Sequence, residues 1–461
     1  MVINMKWKMI LGVICFLLIG LPAHASDDMY IVKFNNQMQV FNENETDSSS
    51  HRNFCTVSYE ELQELLDIGV VEYYEPDFEV KMFDDYNSSN TEHSQWNLSA
   101  ISIEKAWDIG CYGNDVKVAV IDSGIYNHPD LKSKVDAGYN YIDNSTDTTD
   151  NIGHGTYVSG IIAAECYDEY MTGIAHQVKI VPLKCFDVAV KTKASMIANA
   201  IYDAVDIYDC DVINMSFGMD ESLTNKTLQL SLAYAIQNGC IVVAAVGNDG
   251  STKEYYPAKY DNVIGVGSIN ESKSLSWFSQ YNSTVDVVAP GEGIRSVSIE
   301  GYNKDSGTSF SAPHISAVAA ITKCIDKEIT AQEFTELIKA TSAECESDTN
   351  IGYDFYYGFG IVNAEKIVDE VLKDTPVFLS PITNKVVKVY NNSDSELVAK
   401  GIVANYTENQ LLDVIFHDVK LLPGKIQMVD FLPEGTLTKV MLWDSQEGIT
   451  PLYQTRKYKS N

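Results

Sequence analysis

Apolar residues along the middle of the chain fall into two kinds of run. Short, continuous, β-branched runs recur at Val116–Ile121, Lys179–Leu183, Val212–Met215, Cys240–Val246, Val263–Val266 and Val285–Val288. Continuity rather than alternation predicts strands covered on both faces. Between them lie helix-like stretches at Thr156–Ala164, Ser195–Tyr208, Ser222–Asn238 and Ser309–Ile325, the third followed by Gly239 where a helix stop is expected. Strand and helix in alternation predict an α/β domain whose parallel sheet carries helices on both faces, a three-layer arrangement. In such a sheet the functional groups sit beyond the carboxyl ends of the strands.

The flanks read differently. Met29–Phe34 alternates like a strand, Glu60–Leu66 like a helix, and 70–78 like a second strand, which predicts a small α+β unit. Asp84–Asn90 is polar and turn-rich, the composition of a linker open to cleavage. After Asp374-Thr375-Pro376, short β-rich runs follow at Lys385–Tyr390, Glu396–Tyr406, Leu411–Val419, Lys425–Phe431 and Thr438–Leu442. Turn residues separate them, so a small all-β sandwich is expected. At the other end, Lys6 and Lys8 precede the apolar run Ile10–Leu21 and the small residues of Ala23-His24-Ala25. This is a secretory signal pattern, too short to span a bilayer, and no later run reaches membrane-spanning length. The expected organisation is a signal peptide at 1–25, a pro-region and linker at 26–90, an α/β domain at 91–374 and a β-sandwich at 375–461.

Charge sharpens these boundaries. The 461 residues carry 33 Lys and Arg against 64 Asp and Glu, a net charge of −31. Residues 26–90 hold −12, residues 91–374 hold −21, and residues 375–461 sum to zero. So acidic a chain is a poor partner for nucleic acid, whose phosphates are bound mostly by Lys and Arg. Total charge also opposes docking of 26–90 on 91–374, so backbone pairing and apolar burial are expected to carry that contact. The nine cysteines include no Cys-x-x-Cys pair, so no zinc ribbon is indicated, and the seven left after removal of 1–90 are an odd number, which argues against a disulfide-built fold.

Three polar groups stand where the sheet predicts chemistry. Asp122 ends the first strand run in Val-Ile-Asp-Ser-Gly-Ile (120–125). His154 opens a helix pattern in His-Gly-Thr-Tyr-Val-Ser-Gly (154–160), and Ser309 opens another in Gly-Thr-Ser-Phe-Ser-Ala-Pro-His (307–314). Each has an ordinary reading as a turn or cap residue; their joint placement is what points to nucleophilic catalysis. A hydroxyl needs a base, and the base needs an orienting carboxylate.

With Ala-Ala-Val-Gly-Asn-Asp-Gly (244–250), these motifs resemble the subtilisin-like serine proteases over about residues 95–370. The resemblance implies a subtilisin-like fold and a secreted, self-processing endopeptidase. Its catalytic residues would be Asp122, His154 and Ser309, with Asn248 donating to the oxyanion. It implies substrate binding at Ser216, Phe217, Gly218, Ala245 and Gly247, and a monomer acting on protein or peptide substrates. Residues 26–90 resemble the family's inhibitory propeptide, an intramolecular partner. No cofactor is needed for the chemistry. A structural Ca2+ is expected only in part: Asp130 matches one ligand, while Tyr167 stands where an Asn ligand is usual. Tyr255 falls near a glycine at the base of the family's specificity pocket and would shorten or reshape it. Asp249 and Glu254 are either determinants for a basic substrate side chain or solvated loop charges. Two other outcomes stay open: a maturation protease for one leader peptide, and an inactive surface protein on the same scaffold.

Overall fold

The computed structural model describes residues 29–35, 52–83, 85–87, 95–165, 171–220, 222–343, 352–407, 410–431, 436–444 and 456–459. The expected signal peptide lies outside them, as does the loop at 166–170.

A seven-stranded parallel sheet forms the centre. In spatial order its strands are Val287–Pro290, Ile264–Ile269, Ile241–Ala245, Val212–Met215, Lys117–Asp122, Lys179–Lys184 and Tyr139–Asn140. Every neighbouring pair is parallel. Chain order turns around beside Lys117–Asp122, the topological switch point where α/β sheets bind ligands. The β-branched runs form these strands because both faces are covered. One face packs against the helices His154–Ala163 and Thr308–Ile325, in a core holding Val118, Val120, Val243, Phe310 and Ile315. The other packs against Ala194–Asp206 and Lys226–Gln237, in a core holding Ile121, Ile213, Ile197 and Leu232. The domain is thus the three-layer α/β arrangement expected. The helix expected from Ser222 begins at Lys226. The Asn225 side chain accepts from the Leu228 amide at 2.8 Å, and this cap fixes the start.

The N-terminal unit is a three-stranded antiparallel sheet, Phe54–Ser58, Met29–Phe34 and Val71–Pro76, with the helix Tyr59–Asp67. Its apolar residues Tyr30, Val32, Val57, Leu62 and Leu65 form a small core of their own. It sits on the two helices of the outer layer by charge as well as by burial. Glu75 accepts from the amides of Lys226 and Thr227, both at 2.8 Å, at the start of one helix. Asp77 accepts from the Ser195 amide at 3.0 Å at the start of the other. Arg52 pairs with Asp203 and Asp206 near that helix's far end, at 2.5 and 3.0 Å. Carboxylates at helix N-termini and a cation at a C-terminus complement the helix dipoles. The total charges oppose this contact, but these local pairs place opposite charges and dipoles against each other, a complementarity that the charge totals do not reveal.

The C-terminal unit has two sheets. One contains Val377–Leu379, Val386–Asn391 and Ile426–Asp430; the other contains Gln410–Leu421, Leu397–Thr407, Leu437–Asp444 and Arg456–Lys459. Val387, Val389, Val403, Val419, Leu421 and Leu442 fill the space between them. The six cysteines among the described residues, such as Cys185 and Cys240, are unbridged, and five of them are buried.

Candidate active site

Asp122 is the last residue of its strand, and its side chain is fully buried. His154 is the first residue of its helix, and Nδ1 lies 2.8 and 2.9 Å from the two Asp122 carboxylate oxygens. The helix can come this close because residue 155 is glycine: a Cβ there would fall 2.3 Å from the Gly124 carbonyl and 3.1 Å from Asp122. Asp150 fixes the loop before the helix. It accepts from the amides of Ile152, Gly153 and Thr156 and from the Thr156 hydroxyl, at 2.6–3.0 Å. Asp150 is buried and is therefore a structural anchor.

Ser309 is the second residue of its helix and is fully buried in the closed chain. Its Oγ faces the Ser216 carbonyl at 3.5 Å. Beneath it, the Ser216 hydroxyl donates to the Ser309 carbonyl at 2.8 Å and accepts from Asn214 at 3.1 Å, while Ser316 donates to Asn214 at 2.8 Å. This buried, paired network ties the Ser309 helix to the end of the central strand. Asn248 Oδ1 accepts from the Thr308 amide at 2.8 Å and from its hydroxyl at 2.7 Å. Its Oδ1 is thereby fixed, and Nδ2 points into the cleft, beside the start of the Ser309 helix.

The cleft is filled by the chain itself. Glu79–Met82 forms the middle strand of a short antiparallel sheet, between Phe217–Asp220 and Lys191–Lys193. Met82 pairs with Phe217 and Lys81 with Gly218. The Phe83 ring lies over Gly218, where a Cβ would come within 2.1 Å of it, and meets the Tyr255 ring edge-on at 5.1 Å. Tyr255 in turn covers Gly247, where a Cβ would fall 2.8 Å from its ring. Asp85 Oδ1 accepts from Asn248 Nδ2 at 3.2 Å. Asp85 Oδ2 lies 3.1 Å from His154 Nε2, an ion-pair distance without the alignment of a hydrogen bond. Tyr86–Asn87 then pairs with Asp305–Ser306. The stretch read as a linker thus begins as a strand crossing the site.

Burial opposes a charge on His154, but the carboxylates of Asp122 and Asp85 outweigh it and hold its pKa well above the ordinary value. Asp305, also near, is pushed up to about 6, first by burial and then by the charge of Asp85.

Asp122, His154, Ser309 and Asn248 therefore meet at one end of the sheet. Among the expected substrate-binding residues, Phe217 and Gly218 pair with the cleft strand, and Gly247 backs the pocket. Ser216 supports Ser309 from below. Ala245 is fully buried in the core with Phe310 and Ala312. Asp249 accepts from the Tyr255 hydroxyl at 2.5 Å, and Glu254 pairs with Lys259 at 2.6 Å, so both are engaged with the protein itself. Asp130 is buried and accepts from the Tyr302 hydroxyl at 2.7 Å. Among the described residues no group of three or more His, Cys, Asp or Glu side chains converges as a metal site, and 166–170, on which the calcium reading depends, lies outside them. Phe83 and Asp85, which the structure also brings to this cleft, were not among the expected site residues, because no local signal along the chain marks them.

The model of the family described as "Subtilase family" matches residues 113–360. The chain is 35% identical over 302 residues to the thermophilic serine proteinase of Bacillus sp. strain AK1, covering 65% of this chain and 73% of that one. It is 30% identical over 385 residues to the minor extracellular protease Epr of Bacillus subtilis, covering 78% of this chain and 58% of that one. Among solved structures it resembles fervidolysin from Fervidobacterium pennivorans, a keratinolytic enzyme related to subtilisin, with a TM-score of 0.65 at 18% identity over 95% of this chain and 77% of that one; this likeness is one of fold.

Proposed function

This chain belongs to the subtilase family and is a subtilisin-like serine endopeptidase; we propose that it is exported as a precursor and removes its own N-terminal unit. Ser309 attacks the peptide carbonyl, His154 takes the hydroxyl proton and returns it to the leaving amine, and Asp122 holds the imidazole in the productive tautomer. Asn248 Nδ2 and the Ser309 amide receive the developing oxyanion. The observation that carries self-processing is the cleft strand Glu79–Met82, a peptide of this chain seated between two strands in the manner of an added substrate strand. Export is supported by the signal pattern at 1–25 and by the extracellular protease Epr among the relatives.

The same strand suggests a preference. Phe83 fills a pocket floored by Gly218 and closed by Tyr255, and the nearby acids are already paired. Peptides are cut after large apolar, especially aromatic, residues. Secreted wild-type protein should lose the N-terminal unit together with the cleft strand by intact-mass and N-terminal analysis, whereas Ser309→Ala should retain them. A peptide library should then show an aromatic preference. Retention of 26–90 by the wild type, or a preference for Lys and Arg, would overturn the respective part.

A further inference from the structure

We propose that Asp85 is an internal mimic of the reacting carboxyl oxygens, one that occupies the oxyanion site and the catalytic histidine at once and so holds the uncut chain inactive. The proposal rests on the protease reading and deepens it. Three contacts carry it. Oδ1 accepts from the Asn248 side-chain amide, Nδ2, at 3.2 Å. The same oxygen lies against Gly307, where an added Cβ would come within 2.1 Å of it, so the carboxylate is seated beside the start of the Ser309 helix. Oδ2 lies 3.1 Å from His154 Nε2, the ring atom that must receive the Ser309 proton. The Asp85 side chain is 14% exposed, so water screens these contacts little.

Attack needs both positions free. The Ser309 Oγ–carbon bond forms while its proton passes to Nε2, and the carbonyl oxygen becomes an anion held by the Asn248 and Ser309 donors. With Asp85 in place, Nε2 faces a carboxylate, the oxyanion donor is spent, and the Ser309 hydroxyl turns to the Ser216 carbonyl. Phe83 is seated as a substrate residue would be, but two residues later the chain presents an acid where a peptide carbonyl belongs. The segment is therefore bound as an inhibitor, and cutting must wait until Asp85 leaves.

The test uses the full-length chain as wild type, Asp85→Asn, Asp85→Ala and the exposed-charge control Glu72→Gln. Conversion to the processed form is timed by mass spectrometry after release into neutral buffer. Asp85→Ala should shorten the half-time at least tenfold, Asp85→Asn by less, and Glu72→Gln by under twofold. Unchanged or longer half-times for both Asp85 variants, with processed wild type still active, would overturn the latch and leave the protease reading intact. A processed wild type that neither cleaves peptide nor reacts with a fluorophosphonate would overturn the protease reading instead. A second measurement does not depend on processing. In the Ser309→Ala chain, ring nitrogen shifts should show His154 holding its second proton to higher pH than a free imidazole does, and adding Asp85→Asn should lower that midpoint. An unchanged protonation state would also overturn the latch.

Discussion

Two histidines of the same domain are held in opposite states. His154 opens its helix between two carboxylates, Asp122 at 2.8 Å and Asp85 at 3.1 Å, and its pKa is held well above the ordinary range. His314 lies within the Ser309 helix, fully buried, with Nδ1 2.8 Å from the Phe310 carbonyl and Nε2 2.9 Å from Asn97 Nδ2. Burial pushes it down to about 4, even against the carbonyl contact. In this neutral arrangement Nδ1–H donates and Nε2 accepts, so every polar atom is satisfied without charge. Burial alone neutralises a histidine; a carboxylate within reach reverses the outcome. One imidazole is placed between carboxylates that favour its charged form, and the other is packed as a neutral group within a helix.

The comparison can be broken most forcefully at Asp122. Asp122→Asn removes the charge and favours the wrong tautomer, so His154 loses what distinguishes it from His314. Self-processing, followed as loss of residues 26–90, should slow about 10⁴-fold, the loss typical of Ser-His-Asp triads. A slowing below tenfold would mean that Asp122 is not the orienting group.

A smaller effect is expected from acid. His314 has a folded pKa of about 4 against 6.5 for the free side chain, so the unfolded chain binds more protons between those values. Its contribution is fully present above pH 6.5 and is lost as the pH falls to 4, for a total of about 3 kcal/mol. In the uncleavable Ser309→Ala chain, urea midpoints should fall across that window, and His314→Gln should flatten the fall. An equal slope in both would assign it elsewhere.

The smallest change sharpens the comparison. Asn97→Asp places a carboxylate beside His314 and should make it resemble His154. The acid-linked loss should shrink by about 1 kcal/mol or more, while the protein at pH 8 becomes less stable because a carboxylate is buried beside a neutral ring. Ring nitrogen shifts of His314 should show protonation beginning well above pH 4.

Much of this was legible locally. Six of the seven strands of the central sheet lie within a few residues of a β-branched run, since a strand buried on both faces needs apolar residues throughout; the short edge strand Tyr139–Asn140 has no such run and is not legible this way. Asp122, His154 and Ser309 were each visible as a polar residue at the end of a strand or the start of a helix. The start of the Lys226 helix was misread, because the apolar pattern continues upstream while the Asn225 cap sets the boundary. Phe83, Asp85 and the Tyr302–Asp130 bond were invisible, since no periodicity links residues brought together from distant parts of the chain.

By itself the sequence determined the alternation of elements, the family, and the residue types available for acyl transfer, because these depend on neighbours along the chain. It also gave total charges that oppose docking of the N-terminal unit. Only the tertiary structure decided where those charges act: Glu75 and Asp77 meet helix amides, Arg52 meets Asp203 and Asp206, and Asp85 meets Asn248 and His154. The physical reason is range. At a contact of about 3 Å out of water, one well-placed charge interacts far more strongly than the screened sum of distant ones.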